Sequence, residues 1–395
     1  MMSLMKSADS YSLSISLAGF LMFIYGLNLF NCYFYVSLVV AVLCFLYLLN
    51  RKIQISLQAL FVFAFLLFYC LLSLMINNEN RLELVFQCMV FYCFGATYGN
   101  RKNLFKLVAC GTAGFGLYGV ISSFRSVLDS GRYLQDVWGG GRLAATQVAA
   151  WCMVYMAFVP WLVFKKSIGR FLKVKLYCLT GFSVISFFIL SSRTGLIVIV
   201  FILFLVFFIS IREKQSKILT SLIAFFFATF FAYTFDFAGI RTAFWNSNLV
   251  LRMIQKQSAM GSAFSTGRID RWVYVLTHFG DNLCGGYQYS SQLGGMIHNF
   301  FLDLYDECGL LPLLLMIIVV ARLIYGMVCV GRHSNSICLE DKVGLISWFV
   351  IILILFLSEP VLYYGRTNLM AFFFFMIALV ELNGPLAYRE EVLDR

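Results

Sequence analysis

Two histidines, a close pair of arginines and a group of acids share one stretch of the chain, from Gly267 to Pro312. Almost every segment around this stretch is apolar. Polar groups this dense beside a membrane are costly to bury, so they usually belong to a site or to a hydrated loop. The pattern therefore predicts a functional site in this part of the chain.

His298 is the candidate general base of this site. It begins the segment His298-Asn-Phe-Phe-Leu-Asp303, and Asp306 and Glu307 follow within two further turns. A histidine titrates near neutral pH, and neighbouring acids such as Asp303 and Glu307 can orient it for proton transfer. A lone histidine is more often structural, but acids and arginines this close favour catalysis.

Four arginines are candidates for binding an anion, because the planar guanidinium suits phosphate and carboxylate. Arg142 follows three glycines at the predicted start of a span, and Arg193 lies in a tight turn between two spans. Arg268 and Arg271 share one face if their segment is helical. The alternatives are a simple loop cap, arginines that reach lipid head groups, pairing with nearby aspartates, or an amphipathic helix on the head groups.

The composition predicts an all-α, polytopic transmembrane helical bundle. Hydrophobic residues make up 61% of the 395 positions, only 12% are charged, and the mean hydropathy is +0.86. Apolar runs long enough to cross a bilayer recur along the chain. They predict about twelve spans, near residues 12–30, 33–50, 55–76, 83–99, 107–124, 144–164, 176–191, 194–211, 218–238, 299–325, 343–364 and 368–383.

Charge in the short loops predicts the orientation. Eleven of the twelve lysines lie on or near one side of the predicted bundle, which identifies that side as cytoplasmic. Both termini are then cytoplasmic, and the opposite side carries arginine instead. Residues 1–238 hold spans one to nine with a short outer loop at 125–143, residues 239–298 form a large outer loop with short helices, and residues 299–395 hold the last three spans and a cytoplasmic tail.

Several other classes of function are disfavoured. The net charge of +11 is explained by topology-setting loops rather than by nucleic acid. The twelve cysteines have no metal-binding spacing and read as packing residues. Neither D-x-D nor H-E-x-x-H occurs, so metal-dependent transfer is not indicated, and no cofactor is predicted. The first apolar segment is too long for a cleavable signal peptide, so we expect it to remain as a helix.

The chain resembles the superfamily of O-antigen polymerases and O-antigen ligases of bacterial inner membranes. The resemblance lies in Ser191-Ser-Arg193-Thr-Gly195, in Gly267-Arg268 through Trp272, in the Gly285-Gly286 turn, and above all in His298-Asn299-x-x-Leu302-x-x-x-x-Glu307-x-Gly309. The order of these motifs and the large outer loop between spans nine and ten also match. The motifs cover about 150 residues, and the topology covers nearly the whole chain.

The resemblance implies an inverting, metal-independent glycosyltransferase that acts at the periplasmic face. Its donor is an oligosaccharide on undecaprenyl pyrophosphate, and its acceptor is a lipid-linked repeat unit of O-antigen or capsular polysaccharide. By position, His298 activates the acceptor hydroxyl, with Asp303 and Glu307 orienting it. The pyrophosphate is held by Arg142, Arg193, Arg268 and Arg271.

Two alternatives stay open. A ligase of the same superfamily passes the glycan to lipid A core, whereas the polymerase lengthens it and implies a chain-length regulator as partner. A lipid-linked oligosaccharide flippase needs polar groups along a path through the bilayer. Most of the predicted spans have no charged residue in their inner part, and Glu359 is the main exception. This lack of a charged path disfavours the flippase.

Overall fold

A computed structural model describes residues 2–48, 56–98, 104–128, 134–139, 141–247, 250–251, 267–333, 338–359, 361 and 367–383. About 82% of it is helical. The short strands Leu134–Gln135 (β1) and Arg142–Leu143 (β2) pair as an antiparallel hairpin, with Gln135 opposite Arg142. The predicted all-α, multi-pass membrane class is confirmed.

Seventeen α-helices are described in the ranges given above. Their bounds are Met2–Leu27 (α1), Tyr33–Leu48 (α2), Leu57–Asn77 (α3), Leu82–Tyr98 (α4), Leu104–Leu128 (α5), Ala145–Met156 (α6), Val159–Phe164 (α7), Arg170–Ile189 (α8), Arg193–Arg212 (α9), Ser216–Thr234 (α10), Ile240–Trp245 (α11), Arg268–Thr277 (α12), Gln288–Gln292 (α13), Phe300–Cys308 (α14), Leu310–His333 (α15), Leu339–Ser358 (α16) and Thr367–Asn383 (α17).

Within the described ranges, eight helical segments are long and apolar enough to cross a membrane. Shorter apolar helices lie at Ile15–Leu27, Tyr33–Leu46, Leu82–Thr97 and Thr367–Leu382. The count of twelve spans stays a prediction. Parts of the predicted outer loops, including residues 129–133 and 252–266, and the predicted cytoplasmic tail from residue 384 lie outside the described residues.

The predicted tenth span, residues 299–325, is divided into two helices at Gly309. Gly309 has φ +79°, a left-handed conformation that favours glycine, and its N–H donates to Tyr305 O over 2.8 Å. A Cβ at this position would also overlap the carbonyl oxygen of Leu283. The apolar segment long enough to span therefore begins at Leu310, and the acids of α14 precede it.

The chain forms two compact units. The first comprises Met1–Phe115, Asp270–Lys342 and Leu355–Arg395, and the second comprises Gly116–Ile269 and Val343–Ile354. In the second unit, the Tyr118 and Trp151 rings pack with centroids 4.4 Å apart, and the Ser123 and Ser186 hydroxyls lie 2.6 Å apart. Hydroxyl pairs of this kind satisfy polar atoms between apolar helices.

Helices α4 and α17 of the first unit are held together by a close approach at Gly95. A Cβ on Gly95 would lie 2.5 Å from the Phe375 carbonyl oxygen and 3.0 Å from Ala378 Cβ. Small residues at such a crossing let two membrane helices reach backbone contact. Along α17, the run of phenylalanines beside this crossing is almost fully buried.

A polar cluster at the start of α3 joins three other helices of the first unit. Arg322 donates from Nε to Gln58 Oε1 over 2.9 Å, and Gln58 Nε2 donates to Val319 O over 3.2 Å. Glu381 accepts from the Tyr92 hydroxyl over 3.4 Å and lies 3.9 Å from Arg322 Nη2. The expectation that Glu359 is the main charged residue of the spans is therefore incomplete.

The two ends of α3 form polar contacts with different partners. Gln58 belongs to the cluster just described, whereas Asn77 donates to the Glu307 carbonyl oxygen over 2.8 Å. The 19 residues between Gln58 and Asn77 correspond to about 28 Å along the helix axis. That length is close to the roughly 30 Å of a bilayer hydrocarbon core. The two polar levels are therefore separated by about the thickness of a bilayer hydrocarbon core.

We expect Gly95→Leu to lower the free energy of unfolding by about 1–3 kcal/mol or more, because the larger side chain overlaps the α17 backbone. Gly181→Leu is the matched control, since Gly181 lies within α8 and a Cβ there meets no atom within 4 Å. Thermal unfolding of both purified variants in detergent measures the difference. Equal melting temperatures for the two variants would contradict the close approach.

Candidate functional site

His298 occupies a strained turn directly before α14. Its φ is +63°, in the left-handed region that non-glycine residues rarely adopt, and its side chain is half-buried. The next residue, Asn299, caps α14 by accepting from the N–H groups of Phe301 and Leu302 over 3.1 and 3.2 Å. Strain of this kind persists only where the surroundings enforce it, and it is concentrated at functional sites.

Asp303 holds the backbone on both sides of His298. Its Oδ1 accepts from the Ile297 N–H over 3.0 Å, and its Oδ2 accepts from the Asn299 N–H over 3.1 Å. The carboxylate thus fixes the turn from within α14. Asp303 therefore fixes the backbone of His298, and its predicted role in orienting the imidazole ring stays a prediction.

Helix α12 holds the same turn from the other side. The Trp272 indole N–H donates to Ile297 O over 3.0 Å, and Arg271 Nη1 donates to Met296 O. Among the described residues, no acceptor bonds to the Nε or Nη2 of Arg271. Arg271 can therefore hold the His298 turn and still offer N–H groups to an anion beside it.

Burial raises the pKa of Asp303 to about 7, although the amides of Ile297 and Asn299 oppose this shift by stabilising the carboxylate. The acid therefore titrates in the physiological range. When it is protonated, one oxygen carries the proton and is a poorer acceptor for an amide. The hydrogen bonds from the two amides that fix the His298 turn are consequently weaker when Asp303 is protonated.

Asp306 holds a different neighbour, the short helix α13. Its two oxygens accept from the Tyr289 N–H over 2.8 Å and from the Ser290 N–H over 3.0 Å, both in the first turn of that helix. The Tyr289 hydroxyl donates to the His278 carbonyl, and the Tyr305 hydroxyl donates to the Phe279 carbonyl. These contacts bind the end of α12 to α13 and α14.

Glu307 docks α14 onto α3. Its Oε1 accepts from the Tyr69 hydroxyl and from the Ser73 hydroxyl, each over 3.0 Å, and lies 3.1 Å from Arg81 Nη2. Arg81 also pairs with Glu79. Burial raises the pKa of Glu307, and Arg81 opposes this rise. The predicted role of Glu307 toward His298 stays a prediction, because its recorded contacts lie with α3 and Arg81.

The Gly285-Gly286 turn packs tightly against the end of α14. Gly285 has φ +86°, and a Cβ there would lie 2.6 Å from the Gly309 N atom and 2.7 Å from the Glu307 carbonyl oxygen. The Gly286 N–H donates to that same carbonyl over 3.1 Å. Glycine is therefore required at Gly285 for the loop to reach the helix end.

The remaining predicted arginines belong to the second unit. Arg142 is exposed in β2, and Arg193 is the first residue of α9, directly after Ser192, whose side chain accepts from the Gly195 N–H over 3.1 Å. Arg268 begins α12 and is half-buried. The first unit, in contrast, brings Arg271 together with the His298 turn. The shared role of the four arginines in holding pyrophosphate stays a prediction.

Sequence reasoning missed most of the residues that hold the site together. Tyr69 and Ser73 lie in an apolar span, more than two hundred positions from Glu307, and nothing local marks them as its partners. Arg81 is likewise far from Glu307 in the chain, and it pairs with both Glu79 and Glu307. Trp272, by contrast, was visible as part of the motif around Arg268.

Comparison with known proteins gives no match, either to protein-family models or to curated proteins. The described residues contain no group of three or more histidine, cysteine, aspartate or glutamate side chains that could hold a metal ion. The chemistry of the site must therefore be argued from its own residues.

We expect the stability of the protein to fall as the pH rises from about 4 to about 7, through Asp303. The unfolded chain releases this proton near pH 4, whereas the folded protein keeps it until about pH 7, so unfolding in this window releases a proton. Asp303→Asn should remove this contribution and flatten the pH dependence of the melting temperature. Asp270→Asn, at an exposed position of α12, is the control. Parallel profiles for wild type and Asp303→Asn would refute the raised pKa.

We expect Arg81→Ala to lower the free energy of unfolding by about 3–5 kcal/mol, because it leaves the buried Glu307 carboxylate without its ionic partner. Glu307→Ala should cost less, because Arg81 keeps its pair with Glu79. The double variant should lose less than the sum, since both residues act in one network. Arg212→Ala breaks the exposed pair of Arg212 with Glu213, 3.7 Å apart, and serves as the control with little effect. Strict additivity of the two buried substitutions, measured by thermal unfolding, would contradict the shared network.

Proposed function

We propose that this protein is a glycosyltransferase of the bacterial inner membrane that polymerises lipid-linked oligosaccharide repeat units of O-antigen or capsular polysaccharide. The observation that carries the proposal is the His298 turn. A half-buried histidine in a left-handed conformation is held through contacts of Asp303, Trp272 and Arg271 at the three residues around it. Backbone strain that the surroundings enforce is concentrated at functional sites, which supports a catalytic role for His298.

His298 acts in this proposal as the general base. It removes the proton from the acceptor hydroxyl while that oxygen attacks the anomeric carbon of the donor sugar. The bond from that carbon to undecaprenyl pyrophosphate breaks, and the configuration inverts. Imidazole is the side chain most often used as a general base, and a base held at a fixed position is suited to this step. Asp303 is a positioning residue, since it acts on the turn through the backbone.

The leaving pyrophosphate carries negative charge that must be stabilised as the bond breaks. Arg271 supports this role, because it has N–H groups without an acceptor among the described residues and bonds to the carbonyl two residues before His298. The sequence pattern makes Arg142, Arg193 and Arg268 the further candidates for binding pyrophosphate. The reaction takes place at the periplasmic face, both termini are cytoplasmic, and a chain-length regulator is the expected partner.

We expect His298→Ala and Arg193→Ala to abolish polymer formation while each protein still accumulates in the membrane. The test is a gene deletion complemented with each variant, read on a silver-stained gel of lipopolysaccharide. His278→Ala is the control, because this second histidine directly follows α12 and bonds through Nδ1 to the Tyr274 carbonyl. It should keep the ladder of polymer lengths.

The deletion itself separates the candidate activities. Core carrying a single repeat, with the ladder lost, supports the polymerase. Bare core with polymer left on the lipid carrier would show a ligase instead. Unchanged lipopolysaccharide would direct the test to capsule or to another exported glycan, and a normal ladder from His298→Ala would remove His298 from the mechanism.

A further inference from the structure

Helix α12 has a buried face that packs on the start of a membrane-spanning helix. Val275 is fully buried in a cluster with Tyr305 of α14 and Leu313 of α15, and Trp272 packs against the same cluster. Leu313 lies in the first turn of the segment Leu310–Val330, which is long and apolar enough to cross a membrane. The position of α12 is therefore fixed at the level where α15 enters the membrane.

A second face of α12 is apolar as well, but it is exposed. Val273 and Leu276 are 53% and 60% exposed. Because successive helical residues are rotated by about 100°, these two side chains lie between the buried face and a third face that carries Asp270 and Thr277. Asp270 and Thr277 are also exposed. Only that third face has the polar character expected for contact with water.

The exposed apolar face of α12 is accompanied by a similar surface on α15. Leu311 and Leu314 are 45% and 47% exposed in the first turns of the spanning segment, on a face of α15 that is turned away from the buried Leu313. In a helix that crosses a membrane, exposed leucines of this kind contact lipid. Since α12 packs on this turn through Leu313, its own exposed apolar side chains lie close to the level of these leucines.

We propose that α12 lies in the membrane interface, with Val273 and Leu276 inserted at the boundary between lipid head groups and acyl chains and with Asp270 and Thr277 facing water. The partner is the lipid surface itself. A helix with separate apolar and polar faces lies in this way in the plane of the interface. Trp272, beside the inserted face, is of the residue type enriched at this depth.

The interfacial position of α12 also determines the depth of the His298 turn relative to the membrane. Trp272 and Arg271 of α12 bond to the carbonyls of Ile297 and Met296. A helix held at the lipid surface therefore holds the turn at the level of the head groups. The inference concerns where α12 lies and stands whether or not His298 takes part in glycosyl transfer.

The test uses single tryptophan additions to the full-length protein in phosphatidylcholine nanodiscs. Val273→Trp and Leu276→Trp probe the inserted face, and the matched controls Asp270→Trp and Thr277→Trp probe the polar face of the same helix. All four positions are exposed, so the added ring requires no repacking of the core. The spectrum of the wild-type protein, with its six native tryptophans, is subtracted.

We expect the added fluorescence at positions 273 and 276 to be blue-shifted and quenched by lipids brominated near the head group. At positions 270 and 277, it should instead be quenched by aqueous acrylamide. Equal quenching by brominated lipid on both faces would overturn the proposal. A blue shift at 273 and 276 without lipid quenching would also overturn it, since protein would then cover that face.

Discussion

The three carboxylates of α14 are the constraint on which the candidate site depends. Asp303, Asp306 and Glu307 lie within five residues in a short helix that directly precedes a spanning segment, where an unpaired charge is costly. Each is satisfied by a different neighbour: the His298 turn, the first turn of α13, and the end of α3 with Arg81. Satisfying these charges therefore also assembles the loop structure around the candidate base.

In this arrangement, Asp303 holds the backbone of His298, whereas the imidazole ring of His298 is the group proposed to react. A carboxylate that orients a histidine is usually expected to contact the imidazole ring, yet the recorded bonds of Asp303 go to the amides before and after His298. Together with Trp272 and Arg271, it fixes the backbone and thereby the direction from which the side chain leaves it. A rigid backbone of this kind suits a site whose reacting groups must be held in a fixed geometry.

The lipid-facing helices are stabilised by different contacts from those that stabilise the loop cluster, which consists of α12 to α14 and the turns between them. Helices such as α4 and α17 are held by close packing of small and aromatic residues, as at Gly95. The loop cluster instead combines an apolar centre around Val275 and Tyr305 with many bonds from side chains to backbone. Backbone atoms in loops lack the partners that helices provide for themselves, so side chains must supply them.

The sequence by itself determined the all-α membrane class, because apolar runs of spanning length need no tertiary information to be recognised. It also located the polar stretch around His298, since dense charge in an apolar chain is visible in one dimension. The division of the predicted tenth span at Gly309 could also have been predicted from the sequence, because this glycine closely follows three acids. Only the tertiary structure decided that Glu307 pairs with Tyr69, Ser73 and Arg81, that Asp303 bonds to backbone amides, and that Arg322 has partners in Gln58 and Glu381. These contacts join residues that are distant in the chain, or depend on the path of the backbone in a turn, and neither is encoded in hydropathy or in local spacing.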